Sequence, residues 1–304
     1  MDRDQGLTDS VAQTLREAPV RTPFSRRVSA HLHRRPRLRL WALLTAPMFW
    51  LVVVYLASLA ALLVTAFWST DSFTSEIVRD WNLDNYRLIY ESSVYRTIIV
   101  RTLAVALGVT AVCTVVAIPF AYYMAKVAGP REQKILVVAA LMPLWVSYLI
   151  KGFSWRILVG ENGVLDNTIG ATPGFGTAAV VLTLSYLWLP YMVLPVYAGF
   201  ERLPDSLLDA SGDLGAKPSR TFWSVVLPAI FPSVVAGSIF TFSLSMGDYI
   251  TVDIVGGSTQ MLGNVVFDNQ VYDLPFAAAM ATVTVAIMVV YLRLVRRTGA
   301  LENI

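Results

Sequence analysis

The sequence predicts an all-α membrane protein with six transmembrane helices and both termini on the cytoplasmic side. Three observations carry that expectation. Hydrophobic residues make up 56% of the 304 and charged residues only 15%, against about 45–50% and about 25% in a typical soluble domain, so the apolar excess has to face lipid. Six stretches are apolar over lengths near the roughly 20 residues a helix needs to cross a ~30 Å hydrocarbon core. Arginines crowd both ends of the chain, and because basic residues resist translocation the two ends belong on the same side, which requires an even number of spans.

Taken in order, residues 1–40 read as a basic cytoplasmic arm. The apolar run behind it is too long and too far from the start for the ~7–15-residue core of a cleaved signal peptide. Its stretch His31-Leu32-His33-Arg34-Arg35-Pro36-Arg37-Leu38-Arg39 suits anionic membrane lipid, at about 1 kcal/mol per basic residue near the surface. It does not read as a nucleic-acid site, and two histidines without a further ligand do not make a metal site. The six-helix domain covers 41–297. Its spans are Trp41 to Phe67, Thr97 to Ala125, Ile135 to Gly152, Thr177 to Gly199, Trp223 to Met246 and Pro275 to Leu292, and 298–304 form a short cytoplasmic tail. Leu51 to Ala57 is apolar on every face, unlike the alternating segments of a membrane barrel. Lys126, Arg131 and Lys134, and then Arg202, Lys217 and Arg220, fall inside with the termini; Arg79, Arg87 and Arg96 in the first outer loop run against the rule. Arg101, Lys151 and Arg156 lie near outer helix ends, where long basic side chains snorkel to headgroups.

Absences narrow the chemistry. No Gly-x-x-x-x-Gly-Lys-Ser/Thr phosphate loop and no Gly-x-Ser-x-Gly elbow occurs, and the single cysteine, Cys113, excludes an intrachain disulfide. The chain reads as one without an ATP site or catalytic residues of its own. Asp205, Asp209 and Asp213 are spaced as solvated faces of short helices, not as an acid–base pair.

The most informative segment is the inside loop at about 200–228, between the fourth and fifth spans. Asp209-Ala210-Ser211-Gly212-Asp213-Leu214-Gly215-Ala216, followed by Leu227-Pro228 at the mouth of an apolar run, resembles the Glu-Ala-Ala loop of ABC-transporter permeases, with Asp209 for glutamate and Ser211 for alanine. Met142-Pro143-Leu144-Trp145, Gly160-Glu161-Asn162-Gly163 and Ser245-Met246-Gly247-Asp248-Tyr249 extend the likeness to the spermidine/putrescine importer permeases, over most of Trp41 to Arg297.

The resemblance implies the type I importer fold in the bacterial inner membrane, binding-protein-dependent. The implied partners are a second, distinct permease, an extracytoplasmic solute-binding protein and two ATPase subunits that bind the ATP and Mg. It also implies that Asp209, Ala210, Ser211, Gly215, Ala216, Leu227 and Pro228 form the ATPase-coupling loop. Pro204 and Pro218 suit first turns of two short helices around Gly215, with Leu207, Leu208 and Leu214 as a side to bury.

On the outer side, Asp248, Asp253, Asp268 and Asp273 share a loop without lysine or arginine. Acids near the membrane are costly and functional, and aromatic faces attract ammonium groups by about 0.5–2 kcal/mol. Asp248 and Tyr249, with Trp145, Tyr148, Trp155, Tyr186, Trp188 and Tyr191, are therefore expected to line a path for a small cationic solute. Interfacial aromatic belts and base-poor outer loops are the competing explanation. Permeases of this pattern serve spermidine, putrescine, 4-aminobutyrate, aminophosphonates and thiamine, so the solute stays open. An ion-coupled secondary transporter is the alternative class, although no internal repeat or mid-span acid supports it. A membrane scaffold that moves nothing also remains open.

Overall fold

The computed structural model describes residues 36–71, 73–170 and 172–298. Most of the expected arm and the tail beyond Thr298 lie outside these. The chain divides into two units, residues 1–61 and 62–304. The described part of the first unit is most of helix α1 (Pro36–Thr65), which begins inside the expected arm and carries an apolar stretch from Leu43 to Thr65. Leu43, Phe49, Trp50 and Tyr55 are exposed along it.

In the second unit a small hairpin, β1 (Ser69–Thr70) paired antiparallel with β2 (Ile77–Val78), leads to α2 (Asp84–Glu91). Three long helices then build the core: α3 (Ser93–Tyr122), α7 (Thr177–Arg202) and α10 (Leu227–Met246). Between α3 and α7 lie α4 (Pro130–Trp145), α5 (Tyr148–Val159) and α6 (Val164–Ile169). Between α7 and α10 lie α8 (Asp205–Asp213) and α9 (Pro218–Thr221). After α10 come α11 (Ile250–Val255), α12 (Leu262–Asn269) and α13 (Leu274–Arg297).

Lipid supplies no hydrophobic drive between helices, so close approach depends on small residues. A Cβ on Gly199 of α7 would stand 2.5 Å from Ser233 Oγ of α10, and one on Gly237 of α10 would stand 2.6 Å from Met192 Sδ of α7. Val109, Cys113, Ala117 and Ala121 on α3 are buried with Leu184, Leu187 and Val196 of α7. A second cluster joins Phe242 and Met246 of α10 to Leu262 of α12 and to Phe276, Ala279 and Met280 of α13.

Two π turns interrupt the spans, Tyr123–Val127 after α3 and Phe222–Val226 before α10. The second accommodates Pro228, which has no N–H to give Ser224 and whose ring crowds that carbonyl in α geometry. The helix is continuous from Pro218 to Met246. Pro228 therefore lies within the helix.

The third span departs from expectation. Ile135 to Gly152 is not one helix: α4 and α5 meet at 95°, and among the described residues five helices are long and apolar enough to cross a membrane, six if this bent pair counts as one. Val146 and Ser147 are extended at the break. Pro143 O would accept from residue 147 in an unbroken helix; instead Lys151 Nζ donates to it at 3.0 Å. Lys151 is only 8% exposed, so it caps the broken helix instead of snorkelling. Arg156 also turns onto protein, donating to Ile254 O at 3.0 Å and lying over Phe175.

Replacing Gly237 with valine should destabilise the protein by about 1–3 kcal/mol, because the α7–α10 contact has no room. Gly212→Ala, with nothing within 4 Å of its Cβ position, should be neutral or stabilising. Thermal unfolding of the purified protein in detergent checks both, and equal effects would contradict the packing argument.

Candidate functional site

The loop segment is built by local chemistry. Pro204 is the N-cap of α8, and α8 closes in a Schellman arrangement: Gly215 N donates to Gly212 O at 2.8 Å and Ala216 N to Ser211 O at 3.1 Å. Gly215 has φ +75°, the left-handed region expected of it. Pro218 follows as the first residue of α9, so one short helix and one continuous with the fifth span flank the glycine. Ser211, the departure from alanine, lies 2.8 Å from Thr221 Oγ1 and ties α8 to α9.

Asp209, Ala210, Asp213 and Gly215 are exposed, Ser211, Ala216 and Leu227 are half-buried, and Pro228 is exposed. Of the three leucines expected to bury, only Leu208 packs on the core; Leu207 and Leu214 stay exposed, Leu214 at 88%.

Lys126, in the π turn that follows α3, anchors this segment. Its Nζ donates to Leu203 O and to Asp205 Oδ1, both at 2.6 Å, across nearly eighty residues of sequence. A groove of about 730 Å³ lined by Ile118, Tyr122, Leu208, Phe222 and Trp223 runs between the end of α3 and α8. Point contacts, more than apolar burial, thus hold the segment. Sequence reading saw Lys126 only as an orientation signal.

At the other end of α10, Asp248 is 7% exposed. One carboxylate oxygen accepts from Thr251 N at 2.9 Å; the other accepts from the Tyr148 hydroxyl and, at 3.3 Å, from Thr251 Oγ1. Asp248 lies beyond the last residue of the fifth span, and burial holds its carboxyl above the usual aspartate range against these hydrogen bonds. It lines a cavity of about 290 Å³ with Tyr148, Trp188, Ser243, Gly247 and Tyr249.

Aromatic rings continue from this cavity. Tyr148 stacks on Trp188 at 6.1 Å, Trp188 meets Tyr191 at 5.9 Å, and Tyr191 meets Phe240 at 6.4 Å.

The structure therefore brings four of the eight expected path residues together around the cavity, Asp248, Tyr249, Tyr148 and Trp188, with Tyr191 adjoining Trp188. Trp155 and Tyr186 pair with each other at 5.5 Å and do not line the cavity, and neither does Trp145, which is 76% exposed. The four acids differ in their contacts. Asp253 accepts from Asn264 Nδ2 at 2.5 Å, Asp268 is exposed, and Asp273 caps α13 through Phe276 N at 3.1 Å. Sequence reading missed Phe240, Ser243 and Gly247, although their spacing places them on the α10 face that runs to Asp248.

Residues 117–299 match the family described as binding-protein-dependent transport system inner membrane component. The chain belongs to this family. It is 37% identical to the inner membrane ABC transporter permease protein YdcU of Escherichia coli K12, over 96% of this chain and 99% of that one. It is 30% identical to the spermidine/putrescine transport system permease protein PotB of the same organism, over 84% of this chain and 95% of that one. A solved bacterial alginate ABC transporter in complex with an alginate-pentasaccharide-bound periplasmic protein shares the fold, with TM-score 0.66 at 12% identity over 90% of this chain and 97% of that one. The permease is thus an inner-membrane, multi-pass component of an ABC importer.

Lys126→Met should leave the Leu203 carbonyl without its donor, costing about 1–3 kcal/mol locally. Hydrogen exchange over 203–217 should rise while α7 stays protected; unchanged exchange would contradict the anchor. For Asp248 the raised carboxyl means that the folded state binds the proton more tightly than the unfolded chain. Wild type should therefore gain stability relative to Asp248→Asn as pH falls from neutral through that titration towards the ordinary aspartate range. Thermal unfolding across pH checks this, and a difference that stays flat would contradict it.

Proposed function

We propose that this permease imports a small organic cation of the polyamine class. The observation that carries the reading is the buried Asp248 carboxylate in a cavity walled by Tyr148, Trp188 and Tyr249. A carboxylate with aromatic faces around it suits an ammonium group, each face adding about 0.5–2 kcal/mol. The track through Tyr191 to Phe240 extends the same chemistry along α7 and α10. Likeness to PotB, named for spermidine and putrescine, supports that solute class.

In this reading the permease pairs with a second permease, two ATPase subunits that hold ATP and Mg, and an extracytoplasmic solute-binding protein. The alginate neighbour, solved with a periplasmic protein, supports that last partner. Both termini and segment 205–217 face the cytoplasm. The exposed Asp209, Ala210 and Leu214 sit against the ATPase, and Gly215 sets the turn that presents them. Closure of the ATPases moves the segment, and helix Pro218–Met246 carries the motion to Asp248, opening the path alternately to each side.

The test is uptake of labelled putrescine and spermidine into proteoliposomes holding the assembled importer with its binding protein. Asp248→Asn should lower uptake about tenfold or more, the loss of one charge-assisted contact, with ATPase stimulation retained. Gly215→Arg should abolish stimulation with normal membrane insertion. Undiminished uptake by Asp248→Asn, or unchanged coupling by Gly215→Arg, would refute the corresponding role.

A further inference from the structure

Beyond Asp248, the same end of the permease displays a surface that transport through the path does not use. The turn of the β1–β2 hairpin carries Phe73 at 99% exposure, and Trp81, Val271 and Tyr272 stand 72%, 78% and 78% exposed. The two stretches are joined, because Thr70 Oγ1 donates to Asp273 Oδ1 at 2.8 Å. Tyr95 at the start of α3 packs on Phe276 at 5.0 Å, whereas Lys126 at the far end of that helix pair holds the 205–217 segment. The continuous helix Ser93–Val127 has 35 residues, so its two ends stand about 50 Å apart.

Apolar side chains on spans face lipid and need no further explanation. These lie outside every span, and three acids, Asp71, Glu76 and Asp80, are interleaved with them against one base, Arg79, which lies over the Trp68 ring at 5.4 Å. Backbone N–H groups of Thr74 and Phe73 hold Asp71 below the usual carboxylate range, and Ser69 and Asn82 do the same for Asp80. Both are charged at neutral pH, and an anionic bilayer surface repels them. A protein face with lysine or arginine around an apolar centre complements them.

The hairpin is also pre-shaped. Ser69 Oγ donates to Asp80 at 2.7 Å, Asn82 N to Phe67 O at 2.9 Å, and Asn85 Nδ2 to Trp68 O at 2.8 Å. Ser75 is held at φ +56°, an uncommon conformation for a residue other than glycine. A surface ordered in advance loses little freedom on docking.

We propose that hairpin 69–81 and the turn 271–273 form the landing surface for the importer's solute-binding protein, Phe73 and Tyr272 supplying the apolar contact and Glu76 the charge contact. The assignment rests on the proposed function, which supplies that partner and places this end outside.

The assembled importer in proteoliposomes is titrated with its putrescine-loaded binding protein, and ATPase activity is read. Phe73→Ser and Glu76→Lys touch neither the cavity nor the loop segment. Each should raise the half-stimulating concentration about tenfold or more, the equivalent of about 1.4 kcal/mol, with the maximal rate unchanged. Half-stimulating concentrations equal to wild type would overturn the assignment while leaving the proposed function intact. A nitroxide on Phe73→Cys should report water, through collision with a nickel chelate; an oxygen-favoured, lipid-facing signal would also overturn it. A wild-type importer that no binding protein stimulates would remove the partner, and the proposed function with it.

Discussion

The close contact between α7 and α10 is the constraint on which the rest of the permease depends. In lipid, helices associate through fit more than through exclusion from water, and here fit means Gly199 against Ser233 and Gly237 against Met192. Neither glycine has space for a methyl group. The pair therefore behaves as one body, and each end of α10 inherits its position from that body. One end continues through the π turn to α9 and the Schellman turn at Gly215. The other ends at Gly247 and delivers Asp248 to its cavity.

Lys151 and Asp248, the two buried charged groups among the described residues, each satisfy a break in regular structure. Lys151 caps the carbonyl that the α4–α5 bend leaves at Pro143, and Asp248 gathers the first residue of α5, Tyr148, with the start of α11 at Thr251. Irregular backbone at membrane depth is tolerated where it is buried in protein or lines a cavity; beside the bend Tyr148 lines the cavity, while Val146 and Ser147 themselves are exposed. These two buried charges thus sit where helices stop.

Much of this was legible in the sequence. Apolar runs gave the long helices, and the pattern from Asp209 to Ala216 gave a loop with a left-handed glycine, because both signals are local. The 95° bend was not legible, since hydropathy runs unbroken through Val146 and Ser147 and the group that stabilises the bend, Lys151, reads as an interfacial lysine. The fates of the four acids were equally hidden. Asp273 is partnered by Thr70, 203 residues away, and Asp253 by Asn264 on another helix. Trp145, Trp155 and Tyr186 failed to reach the cavity for a related reason: composition places aromatics near a span's end, but only helix rotation and the bend decide which of them point inward.

The central claim is that α7 and α10 move as one rod between the 205–217 segment and the Asp248 cavity. Its most direct test is a pair of spin-label distances in the assembled importer, nucleotide-free and vanadate-trapped, with labels on the exposed Asp213 and Ser243 positions of this chain and on the matching loop of the second permease. The account predicts that the separation of 213 from 243 within this chain stays constant while the two loops approach each other. A change in the 213–243 separation larger than the spread of the labels, with the loops fixed, would show that α10 bends instead of transmitting and would contradict it.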